Sequence, residues 1–257
     1  MIPTFSNKDI YFLMQIMDTD LLIGFANPFQ GMSRIEISSE WKKTREKLEQ
    51  LQLLTISEDD ARLEEHFQAG LWIMSQTNLV VEILKDGHQK SMFYFSRQNV
   101  VECSQVENGE YTLYMHGPPD ATWNDVIYPR LLTGVEERKI LTNEKLYISR
   151  REYNKWIKEN KMEYTSDPST ENLVFLKRAF DEKILNSRIM LFHKVESDWT
   201  IEGLHVLTSP VGNWILKMIN RDGVELLEAK QSTNIGIVSD ILTLLQRIMD
   251  NQQTFTH

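Results

Sequence analysis

A chain of 257 residues, 41% hydrophobic and 25% charged, has the make-up of a globular protein with one large or two modest domains, outside the regime of disorder. Its lone cysteine, Cys103, excludes an internal disulfide and a multi-cysteine metal site and suits a reducing cytoplasm. The net charge of −9 lies wholly in residues 1–136, where 11 basic residues face 20 acidic ones, so generic nucleic-acid binding starts against repulsion.

The opening MIPTFSNKDI lacks a basic segment leading into an apolar one, and no apolar run is long enough to cross a bilayer; a cytoplasmic protein without a membrane span is expected. Ser6-Asn7-Lys8-Asp9 has capping-box spacing, and Ile10, Leu13, Met14 and Met17 follow at helical intervals. Residues 21–37 read as irregular, with Phe25 and Phe29 tucked inward. A second helix is expected from Ser39, with Trp41, Thr44, Leu48 and Leu51 on one face and the charged run 42–47 largely on the other. A third is expected from a cap at Ser57-Glu58-Asp59-Asp60, with Leu63, Phe67, Leu71 and Met74 as its stripe.

After Asn78 the period changes towards two. LVVEIL (79–84), Asp86-Gly87 and KSMFYFS (90–96) form one hairpin signal; NVVECSQV (99–106), Asn108-Gly109 and YTLYMH (111–116) form another. A helix follows from Thr122 through Leu131, distorted at Pro129. The order then recurs. Ser149 to Glu152 is a second capping box opening a helix with Tyr153, Trp156 and Ile157, and Thr170 begins a helix with Leu173, Leu176, Phe180 and Ile184. Four strands come next, at 188–195, 199–207, 213–219 and 224–229, and a last helix carries Ile237, Ile241, Leu244, Leu245 and Ile248.

Apart from one more helix at the start of the first half, each half therefore reads helix, helix, four strands, helix, with the equivalent turns near Asn108 and Asp222. Residue identity between the halves is negligible, so the repeat is one of pattern. The expected fold is α+β, with antiparallel sheets in two pseudo-equivalent halves, 1–136 and 137–257, and no linker between them.

Candidate chemistry is sparse. No histidine pair has metal-ligand helical spacing, and His193 and His205, on adjacent strands, are out of register, with expected partners near 202 and 190. His116 at a strand end has no nucleophile or second carboxylate nearby in sequence, so a capping role is expected. There is no G-x-S-x-G elbow and no glycine-rich phosphate loop, and Cys103 lies mid-strand as a small buried hydrophobe. No catalytic residue, metal or cofactor is assigned, and the chain is not expected to be an enzyme. EWKKTREKLEQLQLLT (40–55), with four basic and three acidic residues, is too weakly charged for a phosphate-tracking helix. Residues 138–161, eight basic against three acidic, read either as a solvated helix face or as a docking patch for an acidic partner.

The closing segment NWILKMINRDGVELLEAKQSTNIGIVSDILTLL (213–245) resembles the end of the EspG family of type VII secretion chaperones: strand, polar-glycine turn, strand, threonine-containing loop and amphipathic helix. DIYFLMQIMDTDLLIGFANPF (9–29), followed by a charged helix, LQLL (51–54) and an acidic next helix, is similar to that family's start. The chain is rich in Lys, Ile and Asn and lacks the Ala, Arg and Gly loading of actinobacterial members, so it resembles a distant relative serving low-GC Gram-positive bacteria. The resemblance implies a sheet flanked by helical bundles and a cytosolic chaperone or adaptor that holds a helical secretion substrate. It offers no motif from which a residue could be carried over.

From the residues alone, a helical partner needs an apolar platform with a polar rim. Phe93, Tyr94 and Phe95 alternate faces on one strand, so they either supply such a platform or are covered on both sides by the chain's own helices. Arg97 and Gln98 at one turn, and Lys85 and His88 in the loop 85–89, form the expected rim. The alternative function is an intracellular antitoxin that blocks a basic toxin through the acidic front half.

Overall fold

The computed structural model describes residues 2–19, 21–57, 60–159 and 171–254. The chain divides into two units: one holds residues up to Glu82 with Gln89–Trp123, and the other holds Ile83–His88 with residues from Asn124 on. Residues 124–136, read from the sequence with the first half, thus go with the second.

In the first unit a short strand β1 (Thr4–Phe5) runs into α1 (Asn7–Ile16), where the predicted capping box forms: the Asp9 N–H donates to Ser6 Oγ and the Ser6 N–H to the Asp9 carboxylate. Helix α2 (Arg34–Gln50) begins five residues before the expected Ser39, because Ser33 and Glu36 make another capping box. Strand β2 (Leu54–Ile56) pairs with β3 (Ala61–Leu63), and β3 takes the place of the first turn of the expected third helix. Of its proposed cap, Glu58 and Asp59 lie outside the described residues. Helix α3 (Glu65–Gln76) starts instead at Glu64, whose carboxylate accepts the N–H groups of His66 and Phe67.

Four strands follow: β4 (Leu79–Lys85), β5 (Gln89–Phe95), β6 (Val100–Gln105) and β7 (Tyr111–His116). The strand order is β1-β7-β6-β5-β4. Helix α3 packs on β5, β6 and β7. The chain then forms α4 (Pro119–Thr122), one π-helical turn (Trp123–Ile127) and α5 (Tyr128–Leu132). The expected distortion at Pro129 takes this form because proline has no N–H to return to the Asp125 carbonyl.

The second unit, which holds the last residues of β4, most of the π-helical turn and α5, continues with β8 (Leu146–Ser149) and α6 (Arg150–Glu159), joined by the predicted capping box between Ser149 and Glu152. The side chains of Trp156 and Ile157, and the proposed cap Thr170, lie outside the described residues. Helix α7 (Glu171–Asp181) leads to β9 (Leu185–Val195), β10 (Asp198–Ser209), β11 (Gly212–Arg221) and β12 (Val224–Ser232), and α8 (Asn234–Thr254) closes the unit. The order is β9-β10-β11-β12-β8. All five residues expected to form the stripe of the last helix are buried on α8. On the other sheet face, Ile148, Leu176, Ala179, Leu207, Trp214, Leu216, Leu227 and Ala229 make one apolar cluster. In both units a short strand leads through a Ser-initiated capping box into a helix and pairs antiparallel with the last strand of a four-stranded meander, β1 with β7 and β8 with β12.

Candidate functional site

The structure buries the expected platform residues and turns one of the expected rim residues, Lys85, inward. On β5, Phe93 is 0% and Phe95 8% exposed, and Tyr94 is fully buried, so both faces of the strand are covered. The Tyr94 hydroxyl donates to the Ile23 carbonyl (2.8 Å), Met92 fills the space left by Gly24, and Phe95 packs on Trp123 at 5.7 Å between ring centres. These aromatics are core and have no surface to offer a partner. Arg97 and Gln98 are exposed at the β5–β6 turn. Lys85 is turned inward in the second unit, where its Nζ donates to the carbonyls of Arg130 (3.1 Å) and Thr133 (2.8 Å) and so caps the end of α5; burial lowers its pKa. His88 is exposed, with Nδ1 2.9 Å from the Asp86 carbonyl.

His116, His193 and His205 lie in strands. His116 Nε2 lies 2.8 Å from the Glu102 carboxylate, a partner that sequence proximity hid but strand register supplies, since Glu102 pairs with Tyr114 two residues away. Ser104 Oγ also contacts Glu102 and Ser91 Oγ. The serine thus addresses the carboxylate rather than the imidazole, which is the wrong connectivity for an activated nucleophile. His193 pairs with Thr200 and His205 with Arg188, two residues from the expected partners because the hairpin turns at Glu196-Ser197; the two rings lie on opposite sheet faces. Cys103 is buried, and burial pushes its thiol well up, away from reactivity. Among the described residues no group of three metal-ligating side chains occurs.

In the basic run 138–161 three residues are answered from within their unit, and Lys161 and the side chains of Lys155 and Lys158 lie outside the described residues. Lys145 pairs with Glu228 and Arg150 with Glu225, both on β12, and Arg138 pairs with Glu136. Such exposed pairs contribute little stability, but they leave less unbalanced charge for an acidic partner.

A surface the sequence did not announce lies on the second unit's sheet. Strands β9 and β10 stay paired out to Val195 and Asp198, whereas β10 and β11 pair only as far as Leu204 and Lys217. Beyond that point β11 pairs with β12 alone, so the two hairpins part and the sheet forks at Gly203. Long strands accumulate twist, and a glycine lets one bend where another backbone comes close. A Cβ at Gly203 would lie 2.5 Å from both the Ile189 carbonyl oxygen and Met190 Sδ. Gly203→Ala is therefore expected to cost about 1–3 kcal/mol, read as a lower urea midpoint, because the carbonyl cannot yield as a side chain can.

Along the arms of the fork, Met190, Phe192, Trp199 and Ile201 share the face that carries Leu207 and Trp214 deeper in, and Met218 continues it on β11. Ile201 is 55% and Met218 43% exposed, while Met190, Phe192 and Trp199 are half-buried. Arg188 and Lys194 stand exposed on the same face of β9. The result is an apolar strip, rich in adaptable methionine, with a basic margin. The fork was not legible because two hairpins with good turns give no signal of where their mutual pairing stops.

No protein-family model matches the chain, and no curated protein matches it. Among solved structures it is similar to the Mycobacterium tuberculosis type VII secretion system chaperone EspG5, captured in complex with a PE25-PPE41 dimer, at a TM-score of 0.57 and 11% identity over 92% of this chain and 94% of that one. At that identity the likeness is one of fold: a mixed α+β chain with antiparallel sheet. No helix among the described residues is long and apolar enough to cross a membrane.

Proposed function

We propose that this chain is a non-catalytic, cytosolic chaperone or adaptor of type VII secretion, which holds a helical secretion substrate and keeps it soluble until export. The forked sheet face carries the reading: it is an open apolar strip with a polar margin, the surface a helical-hairpin tip needs to cover its own apolar residues. The fold, shared over most of the chain with a chaperone captured on a protein dimer, supports the same assignment. The strand, Ser-initiated capping box and helix that open both plans, and the four-stranded meander they lead to, support reading them as two copies of one plan. Ile201 and Met218 are the anchors, and Lys194 receives an acidic residue of the partner.

Affinity capture of the tagged chain from its own cells should bring down a helical secreted protein that is insoluble when expressed alone. Ile201→Glu with Met218→Glu should weaken that capture at least about tenfold while leaving the fold intact, because both side chains are exposed. Full retention of the partner by the folded double variant would remove the fork as the site. Salt-sensitive capture of a basic enzyme whose activity the chain silences would replace the chaperone reading with the antitoxin one.

A further inference from the structure

Helix α3 does not close fully on the sheet beneath it. Between its first turns and strands β6 and β7 lies a cavity of about 190 Å³. Leu71 and Val101, both buried, form its floor, and Phe67, Leu113 and Met115, each half-buried, form walls whose apolar surface is only partly covered. Among the described residues no Asp, Glu, Lys or Arg lines it. A charged ligand would therefore lose its hydration there without gaining a counter-charge.

Gly70, in the interior of α3, keeps the cavity open. A Cβ there would meet only Met115 Cε at 3.6 Å and Val101 Cγ2 at 3.9 Å, ordinary contacts, and the backbone is not in the left-handed region, so neither close packing nor conformation requires the glycine. Glycine nonetheless weakens a helix relative to alanine. What it supplies at this position is room, since a longer side chain would enter the cavity.

That room suits one ring. An apolar cavity of roughly 150 Å³ admits benzene, whereas drug-sized ligands occupy about 300 Å³ or more. The Phe67 ring is held by stacking on Phe5, with ring centres 5.5 Å apart, and the Met115 thioether favours contact with an aromatic edge. The strand edge alongside is already taken: Thr4 pairs with Thr112 and Phe5 with Tyr111, so Pro3 and Ile2 run on along Leu113 and Tyr114. A protein segment would find no free backbone groups to pair with there.

We propose that this cavity binds a free, uncharged molecule built on a single aromatic ring, seated against Phe67 and Met115 under Gly70. The site lies in the first unit and does not depend on the fork or on the function proposed for it.

The test titrates toluene, phenol and indole into the full chain and follows the methyl resonances of Leu71, Val101, Leu113 and Met115. These should shift saturably, with a Kd of about 1 mM or below, while methyls of the second unit stay in place. Benzoate, similar in size but charged, and cyclohexane, similar in size but not aromatic, should each bind at least about threefold more weakly than toluene. Gly70→Leu, which fills the cavity, should weaken toluene binding at least about tenfold, and Gly70→Ala should weaken it less while melting no lower than the native chain. Absence of saturable shifts at these four residues up to about 5 mM overturns the proposal, as does equal affinity for benzoate or cyclohexane. Undiminished binding to folded Gly70→Leu, or to Gly70→Ala if leucine prevents folding, also overturns it. Tighter binding of N-acetyl-phenylalanine amide than of toluene at the same methyls overturns it in favour of an aromatic side chain of a protein partner.

Discussion

Asp9→Ala should lower the stability of the first unit by about 3 kcal/mol, far more than loss of a helix cap alone. The Asp9 carboxylate closes the capping box of α1, and it also accepts from Thr44 Oγ1 at 2.6 Å and Lys47 Nζ at 2.8 Å, which tie α1 to α2. Burial pushes this carboxyl up, but the hydrogen bonds from Lys47, Thr44 and the Ser6 N–H outweigh it and hold the pKa below the ordinary aspartate value. The folded pKa is thus below the unfolded one, so its contribution is complete above the unfolded pKa of about 3.9 and is lost as pH falls through the folded value. Truncating Asp9 leaves Thr44, buried, without its acceptor and leaves Lys47, part-buried, with the Glu110 carboxylate at 3.7 Å in its place. Urea denaturation of Asp9→Ala, Lys47→Ala and the double variant would give the coupling directly. A loss below about 1 kcal/mol for Asp9→Ala would reduce the residue to a simple cap.

What the sequence revealed of this network marks the limit of local patterning. Ser6 and Asp9 were legible as a capping box because their partnership spans three residues. Lys47 was read with the solvated run 42–47, because nothing in a helical period says that one lysine will reach a carboxylate 38 positions away. The eight meander strands were legible from alternation and from turns such as Asp86-Gly87 and Asp222-Gly223, whose positive φ angles the residue types anticipate. Strands β1 and β8 were not, since two to four residues carry no period. At Phe93 and Phe95 the pattern was apolar on both faces, and such a pattern cannot tell a strand covered by its own chain from one awaiting a partner. The fork failed to appear for the complementary reason: Ile201 and Met218 read as ordinary strand residues, and only the register of β10 against β11 exposes them.

Stability of the second unit should fall as pH drops from about 6.5 to 4, by about 3 kcal/mol from His205 alone. Burial, with the nearby charges of Arg188 and Lys183, pushes this imidazole down to about 4. Its hydrogen bonds identify the neutral tautomer. Asn186 Oδ1 can only accept, so Nε2 carries the proton, and Nδ1 accepts from the Tyr153 hydroxyl at 2.6 Å. Between the two pKa values the unfolded chain binds a proton that the folded chain refuses, which is why acid destabilises here and why the contribution is whole above pH 6.5. Tyr153, raised to about 12 mainly by burial, sets the opposite limit: the unfolded phenol ionises near 10, so stability is lost again as pH rises past that value. The bond also fastens α6 to the sheet, since Tyr153 lies on α6 and His205 on β10. Tyr153→Phe should keep most of the acid slope, because burial and the two cations remain, but lose about 1 kcal/mol throughout. His205→Gln should flatten the slope between pH 6.5 and 4, leaving only the smaller contribution of His193, whose pKa burial also lowers. Denaturant midpoints at pH 7 and pH 4.5 for the three proteins would separate these terms, and an unchanged slope in His205→Gln would move the acid sensitivity elsewhere in the unit.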